Sequence, residues 1–281
     1  MNNLERYDKM ALETSRNTTR IYSTSFSLAT RLLGSSTRKA IYAIYGFVRL
    51  ADEIVDTMHD QDKEALLDEL EVNTFRAIQQ GFSLNPILHS FQRTAHQFHI
   101  QPELITSFFD SMWMDLDLKR HDPGTYSKYV YGSAEVVGLM CLRAFLGADE
   151  ARFRRLESHA RSLGAAFQKI NFLRDLKEDY FEKGRLYFPA LIDCRYFDLA
   201  TKKEIEAEIE SDFQHALKGI KQLPFNARLG TYVAYRYYQT LLKKLKRTQP
   251  QILFNQRIRI SNLRKVGSLP ITLLRGALNQ I

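Results

Sequence analysis

Two stretches of this sequence place carboxylates where they can act together. In Arg49-Leu-Ala-Asp52-Glu53-Ile-Val-Asp56 the aspartates stand one helical turn apart, with Arg49 a turn earlier. In Gln168-Lys-Ile-Asn171-Phe-Leu-Arg174-Asp175-Leu-Lys-Glu-Asp179 the residues Asn171, Asp175 and Asp179 follow at equal one-turn steps, with Gln168 just ahead. Each set then shares a helix face, where like charges cost an isolated helix about 0.2–0.5 kcal/mol per pair. One D-x-x-x-D alone reads as a solvated face bridged to Arg49, Arg174 or Lys177. Two of them, the first set among Phe47, Val48, Ile54 and Val55, ask for more, because carboxylates taken out of water without a counter-charge are expensive. Hard oxygen-loving cations answer that need. Mg²⁺, or Mn²⁺ in its place, binds through a few carboxylates plus substrate phosphates and suits an all-oxygen set better than zinc.

Arg49 and Arg174 lie beside these acids, and the planar guanidinium fork matches phosphate oxygens. With 14 Tyr and 18 Phe in the chain, an aromatic lining is also at hand. Acids for a divalent ion, arginines for phosphate and aromatic walls that exclude water describe a site where a diphosphate ester ionises and a carbocation is shielded. The signatures of dinucleotide, P-loop, serine-hydrolase and zinc-protease sites are missing. His96 and His99 have a spacing that metal ligands use, but with no further His or Cys cluster they read as surface residues.

The elements that must position these groups are helices. Apolar residues Ile41, Ile44, Val48, Ala51 and Val55 mark one face of a helix over 38–57, and Leu163, Phe167, Ile170 and Leu173 another over about 160–181. Further helices are expected over 62–79, 102–118, 202–222 and 228–247, with breaks at 33–36, 81–86, 121–125 and 183–189. The chain has 13 Gly and 7 Pro, with no Pro before Pro86. No segment alternates as a run of strands would, and there is no repeat or linker, so residues 1–281 are expected to form a single all-α domain.

Two cysteines, Cys141 and Cys194, cannot build a disulfide framework, which points to a reducing, cytoplasmic setting. No stretch approaches the ~20 apolar residues of a membrane span, so any membrane contact is expected to be peripheral. The net charge of +8 is unevenly distributed. Asp212 is the last acid, and the segment from Phe213 to Ile281 holds 13 Lys or Arg, whereas the preceding residues hold 27 basic and all 32 acidic side chains. Such a basic segment suits nucleic acid, anionic lipid or an anionic small substrate.

Taken together, Tyr22-Ser-Thr-Ser-Phe-Ser27, Arg38-Lys-Ala-Ile-Tyr-Ala-Ile-Tyr45, the two acidic stretches, Tyr129-Val-Tyr-Gly132, Val137-Gly138 and Gly184-Arg-Leu-Tyr-Phe-Pro189 resemble the squalene/phytoene synthase family over most of the chain. That family joins two allylic isoprenoid diphosphates head to head. The resemblance implies an isoprenoid-synthase helical bundle around a central cavity. It implies that Asp52, Asp56, Asn171, Asp175 and Asp179 serve Mg²⁺, and that Tyr22, Ser23, Ser25, Tyr45, Arg49, Gln168 and Arg174 contact the diphosphates. Tyr129 would lie by the reacting centre, making Tyr129, Arg49 and Arg174 the catalytic set. Without the resemblance, Ser23 and Ser25 read equally as helix caps and Tyr45 and Tyr129 as core.

The leading expectation is a phytoene synthase acting on two geranylgeranyl diphosphates without a nicotinamide cofactor. A squalene or dehydrosqualene synthase using farnesyl diphosphate is the alternative, followed by a non-catalytic family member. A nucleic-acid partner would leave the acids unexplained. Two departures from the family pattern stand out: Glu135 and Val136 where a small pair precedes Val-Gly, and Ile252 where a tyrosine is expected. Glu135 is expected to turn away from the pocket and pair with a basic residue. The basic clusters Lys243, Lys244, Lys246 and Arg247, and Arg257, Arg259, Arg264 and Lys265, are expected to meet an anionic membrane surface.

Overall fold

The computed structural model describes residues 2–191 and 197–258; Cys194, Arg259, Arg264 and Lys265 fall outside the described residues. Within them the chain is helical almost throughout, the β pairing being confined to one isolated bridge between Arg120 and Leu186. The helices are α1 (Asn3–Tyr22), α2 (Thr24–Thr30), α3 (Ser35–Thr57), α4 (Lys63–Gln80), α5 (Pro86–Phe98), α6 (Pro102–Asp117) and α7 (Pro123–Val130). A π-helical turn, Tyr131–Glu135, leads directly into α8 (Val136–Leu146), followed by α9 (Glu150–Phe181), α10 (Leu199–Ile220), α11 (Phe225–Lys246) and the short α12 (Pro250–Leu253).

Local chemistry sets the boundaries. Asp62, Asn85, Asp122, Asp149 and Asp198 each accept a backbone N–H as N-caps, and Pro86, Pro102 and Pro123 occupy first-turn positions where no N–H is needed. The structure departs from expectation by adding α1, α2, α5, α7, α8 and the short α12, and by lengthening α9. α9 starts at Glu150, a decade ahead of the apolar stripe, because the Asp149 cap and polar helix formers carry it while Phe153 and Leu156 supply the buried face. α1 was not foreshadowed by apolar periodicity, since its buried face is Ala11, Ser15 and Thr19, small residues that let it lie close against α3.

Two apolar cores flank the interior. The first gathers α3 to α8 around Phe47, which stacks on Phe91 with ring centroids 3.9 Å apart and touches Phe108 and Phe109. The second gathers α7 and α9 to α12 around Ile170, Leu173, Ile209 and Leu245. Gly138 and Gly164 let the π-turn and α8 press onto α9: a Cβ on either would run into the backbone carbonyl of Ala160 or Ala134. The continuous helix Pro123–Leu146 has the length and composition to cross a membrane, which sequence reading did not pick out, but more than half of it is buried inside the fold, as in the core helix of a globular protein.

Candidate active site

The two acidic stretches, far apart in sequence, meet. α3 presents Tyr45, Arg49, Asp52 and Asp56 on successive turns, and α9 presents Gln168, Asn171, Arg174, Asp175 and Asp179. The link between them is Lys183, whose ammonium lies 2.9 Å from Asp56 and 3.5 Å from Asp179. Arg185 comes next, 2.8 Å from Asp56, with its second Nη donating to the Val55 carbonyl at 3.2 Å. Gly184, at φ +68°, makes the left-handed turn that brings both cations off the end of α9, and the Arg120–Leu186 bridge pins the segment in place.

Charge balance differs from acid to acid. Burial and the neighbouring Asp56 push Asp52 up to about 7 despite Arg49, and among the described residues Asp52 has no ion-pair partner within 4 Å. Asp56 is lowered: burial would raise it, but Lys183 and Arg185 outweigh that. Burial raises Asp179 to about 7, with Lys183 opposing and Asp175 adding to the rise. Asp175 is gripped by Arg174 at 2.9 and 2.5 Å and by Arg257 at 2.7 Å. Basic side chains thus hold Asp56 and Asp175 closely, while Asp179 has only Lys183 at 3.5 Å; no three acidic, His or Cys groups among the described residues stand together as a ready ion cage. The donor chemistry still fits a hard divalent ion: every donor is oxygen, and Asp52 and Asp179 are short of positive charge.

The basic groups fit an anion. Arg49 pairs with Glu53 and lies over the Tyr22 ring at 4.3 Å, while its buried Nε has no hydrogen-bond partner. Tyr22 is otherwise exposed. Ser23 caps α2, accepting from the Phe26 N–H at 3.3 Å, and Ser25 lies half-buried in that helix. Tyr45 stacks on Phe26 at 5.1 Å, and burial above all raises its phenol to about 12 against the pull of Arg49. Gln168 donates to Ser133 at 3.3 Å and accepts from Asn171 at 3.3 Å, while the Tyr238 hydroxyl donates to Asn171 at 3.4 Å.

Gln168 and Ser133 also mark the polar end of a cavity of about 230 Å³. Its walls come from α2, α3, the π-turn, α8, α9, α10 and α11, with Phe26, Val48, Phe145, Leu163 and Phe167 prominent. Tyr129 is not on that wall. Its phenol is buried, donating to Asp115 at 2.8 Å, with ring contacts to Tyr187 at 5.0 Å, His121 at 4.9 Å and Phe172 at 6.0 Å. Glu135 is turned out as expected, at 2.6 Å from Arg161 and off the cavity wall. His96 donates to the Ile78 carbonyl at 2.7 Å and His99 closes α5 in a left-handed conformation, and among the described residues neither joins a group of three possible ligands.

Sequence reading assigned no role to Asp115, Lys183, Arg185, Tyr187 or Tyr238. Asp115 did leave a signal: it continues the buried stripe Phe108, Met112 of α6, an acid at a core position. Burial raises it to about 6, opposed by Arg185.

The squalene/phytoene synthase model matches residues 19–264. A phytoene synthase of Arthrospira platensis is 28% identical over 94% of this chain and 93% of its own length. A presqualene diphosphate synthase of Rhodopseudomonas palustris is 34% identical over 59% of this chain and 58% of its own. Among solved structures, a dehydrosqualene synthase in complex with ligand superposes with a TM-score of 0.82 at 21% identity, covering 97% of this chain and 98% of the other, which shows a common all-α fold. The match spans both acidic helices, the Gly184 turn and the helices that wall the cavity, and the chain therefore belongs to the squalene/phytoene synthase family of prenyltransferases.

Proposed function

We propose that this prenyltransferase, one all-α domain over residues 1–281, condenses two geranylgeranyl diphosphates head to head to give phytoene and diphosphate, a step of carotenoid biosynthesis. The observation that carries the reading is the apolar cavity closed at one end by Gln168 and Ser133, beside the paired acids and arginines. Small residues such as Ala29, Thr30, Ala134, Ala160, Ala216 and Ala234 keep its walls open for long prenyl chains. Support for phytoene as product comes from the nearly full-length match to a phytoene synthase. The 34% segment shared with a presqualene diphosphate synthase favours a second reading, a squalene or dehydrosqualene synthase using farnesyl diphosphate.

Asp52, Asp56, Asn171, Asp175 and Asp179 would hold Mg²⁺, which when bound neutralises the departing diphosphate. Arg49, Arg174 and Gln168 bind and orient the diphosphate oxygens, with Tyr22, Ser23, Ser25 and Tyr45 along the same edge. The cavity excludes water while the C–O bond of the first substrate breaks, releasing diphosphate, and the double bond of the second attacks the cation; loss of a proton closes the ring to give a cyclopropyl diphosphate. A second ionisation, rearrangement and proton loss complete the reaction. Incubation of the purified protein with geranylgeranyl or farnesyl diphosphate, with and without NADPH, tests this by product mass. Phytoene from geranylgeranyl diphosphate without NADPH, abolished by EDTA, is expected; product from farnesyl diphosphate alone replaces the reading with the second, and full activity in EDTA removes the metal.

Lys243, Lys244, Lys246 and Arg247 are exposed at the end of α11, with Lys246 engaged by Glu210 at 2.6 Å. The hydrocarbon product must pass into a bilayer, and each exposed base near an anionic leaflet contributes about 1 kcal/mol before screening. Salt-sensitive binding to anionic vesicles is expected, weakened by neutralising Lys243, Lys244 and Arg247. Equal co-sedimentation with neutral and anionic vesicles would give that charge another purpose.

A further inference from the structure

The Asp115 carboxylate is the hub of a buried network around Tyr129, and Asp115 itself has no part in the reaction as proposed. It accepts from the Tyr129 hydroxyl at 2.8 Å and from the Tyr187 hydroxyl at 3.1 Å, and lies 3.4 Å from the Arg185 guanidinium. Arg185 in turn reaches Asp56 on α3. We propose that Asp115 is a positioning residue: it claims the hydroxyl proton of Tyr129, so the phenol offers only oxygen lone pairs to a reacting centre, and it holds Arg185 on Asp56.

A phenol has one proton to donate and an ionised carboxylate only accepts, so the direction of the 2.8 Å bond is fixed by chemistry. The ring is packed against Tyr187, His121 and Phe172 and only 3% exposed, and the neighbouring Tyr187 hydroxyl gives its own proton to Asp115 at 3.1 Å, which leaves Asp115 the charged acceptor for Tyr129. Both Tyr129 and Ser133 belong to the continuous helix from Pro123 to Leu146, Ser133 lying on the cavity wall beside Gln168. A tyrosine held in this way can stabilise positive charge through its oxygen dipole, and it cannot pass its proton to a diphosphate. The inference rests on the proposed reaction, and on the place the family resemblance gives Tyr129 beside its reacting centre, for the claim that a cationic centre forms near Tyr129; the direction of the hydroxyl does not depend on it.

The experiment has two arms. In the first, the Raman Fermi doublet of tyrosine, which distinguishes a donating from an accepting phenol, is compared between wild type and Tyr129→Phe. The difference spectrum is expected to show a strong donor, and an accepting or free phenol overturns the proposal. This arm needs no change at Asp115 and no turnover. In the second, Asp115→Asn, checked for folding by circular dichroism, is expected to lower hydrocarbon formation from geranylgeranyl diphosphate by ~10- to 100-fold, the scale on which partners that orient a working group act. KM should stay close to wild type, and a larger share of product should leave as the cyclopropyl diphosphate. In a Tyr129→Phe background the same change should cost clearly less than in the wild type, because the share that acts through the hydroxyl is already gone and only the hold on Arg185 remains; fully additive losses overturn the proposal. Wild-type protein inactive on both diphosphates would refute the proposed reaction, while the Raman arm would still decide whether Asp115 orients Tyr129.

Discussion

On α3, Asp52 and Asp56 stand one turn apart and titrate in opposite directions: burial takes Asp52 up to about 7, while Lys183 and Arg185 hold Asp56 below the ordinary carboxylate range. α9 repeats the division with Asp175, clasped by Arg174 and Arg257, and Asp179, raised to about 7. Each helix thus offers one acid satisfied by the protein and one left short of positive charge. Repetition on two helices far apart in sequence points to a shared division of labour, in which Asp56 and Asp175 fix the basic side chains while Asp52 and Asp179 carry the unmet demand for a cation.

The largest effect should come from breaking that division at its ends. Asp52→Asn and Asp175→Asn are each expected to lower turnover by at least ~10²-fold, the scale seen when one electrostatic stabiliser is lost. Measuring both with radiolabelled geranylgeranyl diphosphate over a Mg²⁺ titration sharpens the comparison. Asp52→Asn should raise the Mg²⁺ requirement, whereas Asp175→Asn also frees Arg174 and Arg257 and should raise KM for the diphosphate. Identical responses would show that the two acids do the same work.

Next in size is the contrast between the charged rim and the apolar cavity. Ala234 lies on the cavity wall, and a ring there takes up room that a long prenyl chain needs. Ala234→Phe is expected to reduce kcat/KM for geranylgeranyl diphosphate at least ~10-fold more than for farnesyl diphosphate, in keeping with what single contacts in apolar pockets discriminate. Equal losses on both substrates would place the chain ends elsewhere.

These two regions differ in how openly the sequence displays them. The acids were legible because one-turn spacing of like charges is a local pattern that a helix converts directly into a shared face. The charged rim as a whole was not. Lys183 and Arg185 leave α9 through a glycine turn, and nothing local says they will reach Asp56 on α3. The cavity was legible only as a surplus of apolar residues, since its shape depends on where Gly138 and Gly164 let two helices touch. Tyr129 shows the limit from another side: a motif singles it out, yet the bond that orients it comes from Asp115, one helix earlier.

A smaller effect concerns stability. A carboxyl whose folded pKa lies above its unfolded value makes folding take up a proton, so its contribution is full below about 4 and is lost as pH rises through the folded value. Asp52 and Asp179, near 7 against an ordinary 3.8, therefore destabilise the metal-free protein as pH rises from 5 to 8. Asp56 runs the other way: its contribution is present above 3.8 and is lost as pH falls through its lowered pKa. In EDTA, Tm should fall by several degrees across that window, at roughly 2–4 °C for each kcal/mol. Asp52→Asn should flatten the fall, and Mg²⁺ should raise Tm more at pH 8 than at pH 5. A wild-type profile level across the window would mean that the two acids find enough positive charge within the protein.

The smallest effect is expected where a carboxylate lies near the cavity and is kept out of it. Glu135 ends the π-turn, and Arg161 on α9 holds it at 2.6 Å while resting over the Tyr131 ring at 5.2 Å. Within the π-turn, Ala134 faces the cavity while Glu135 reaches across to Arg161 of α9. With Arg161 half-exposed, the pair is worth about 0–1 kcal/mol. Glu135→Gln should accordingly shift Tm by no more than ~4 °C and leave the hydrocarbon unchanged. Arg161→Ala is the sharper variant, because it leaves the carboxylate charged and unpaired. If backbone geometry keeps Glu135 outside, product composition stays the same; if the ion pair does, the freed carboxylate can reach a cation in the cavity, and hydrocarbon should give way to captured or prematurely terminated products visible by mass.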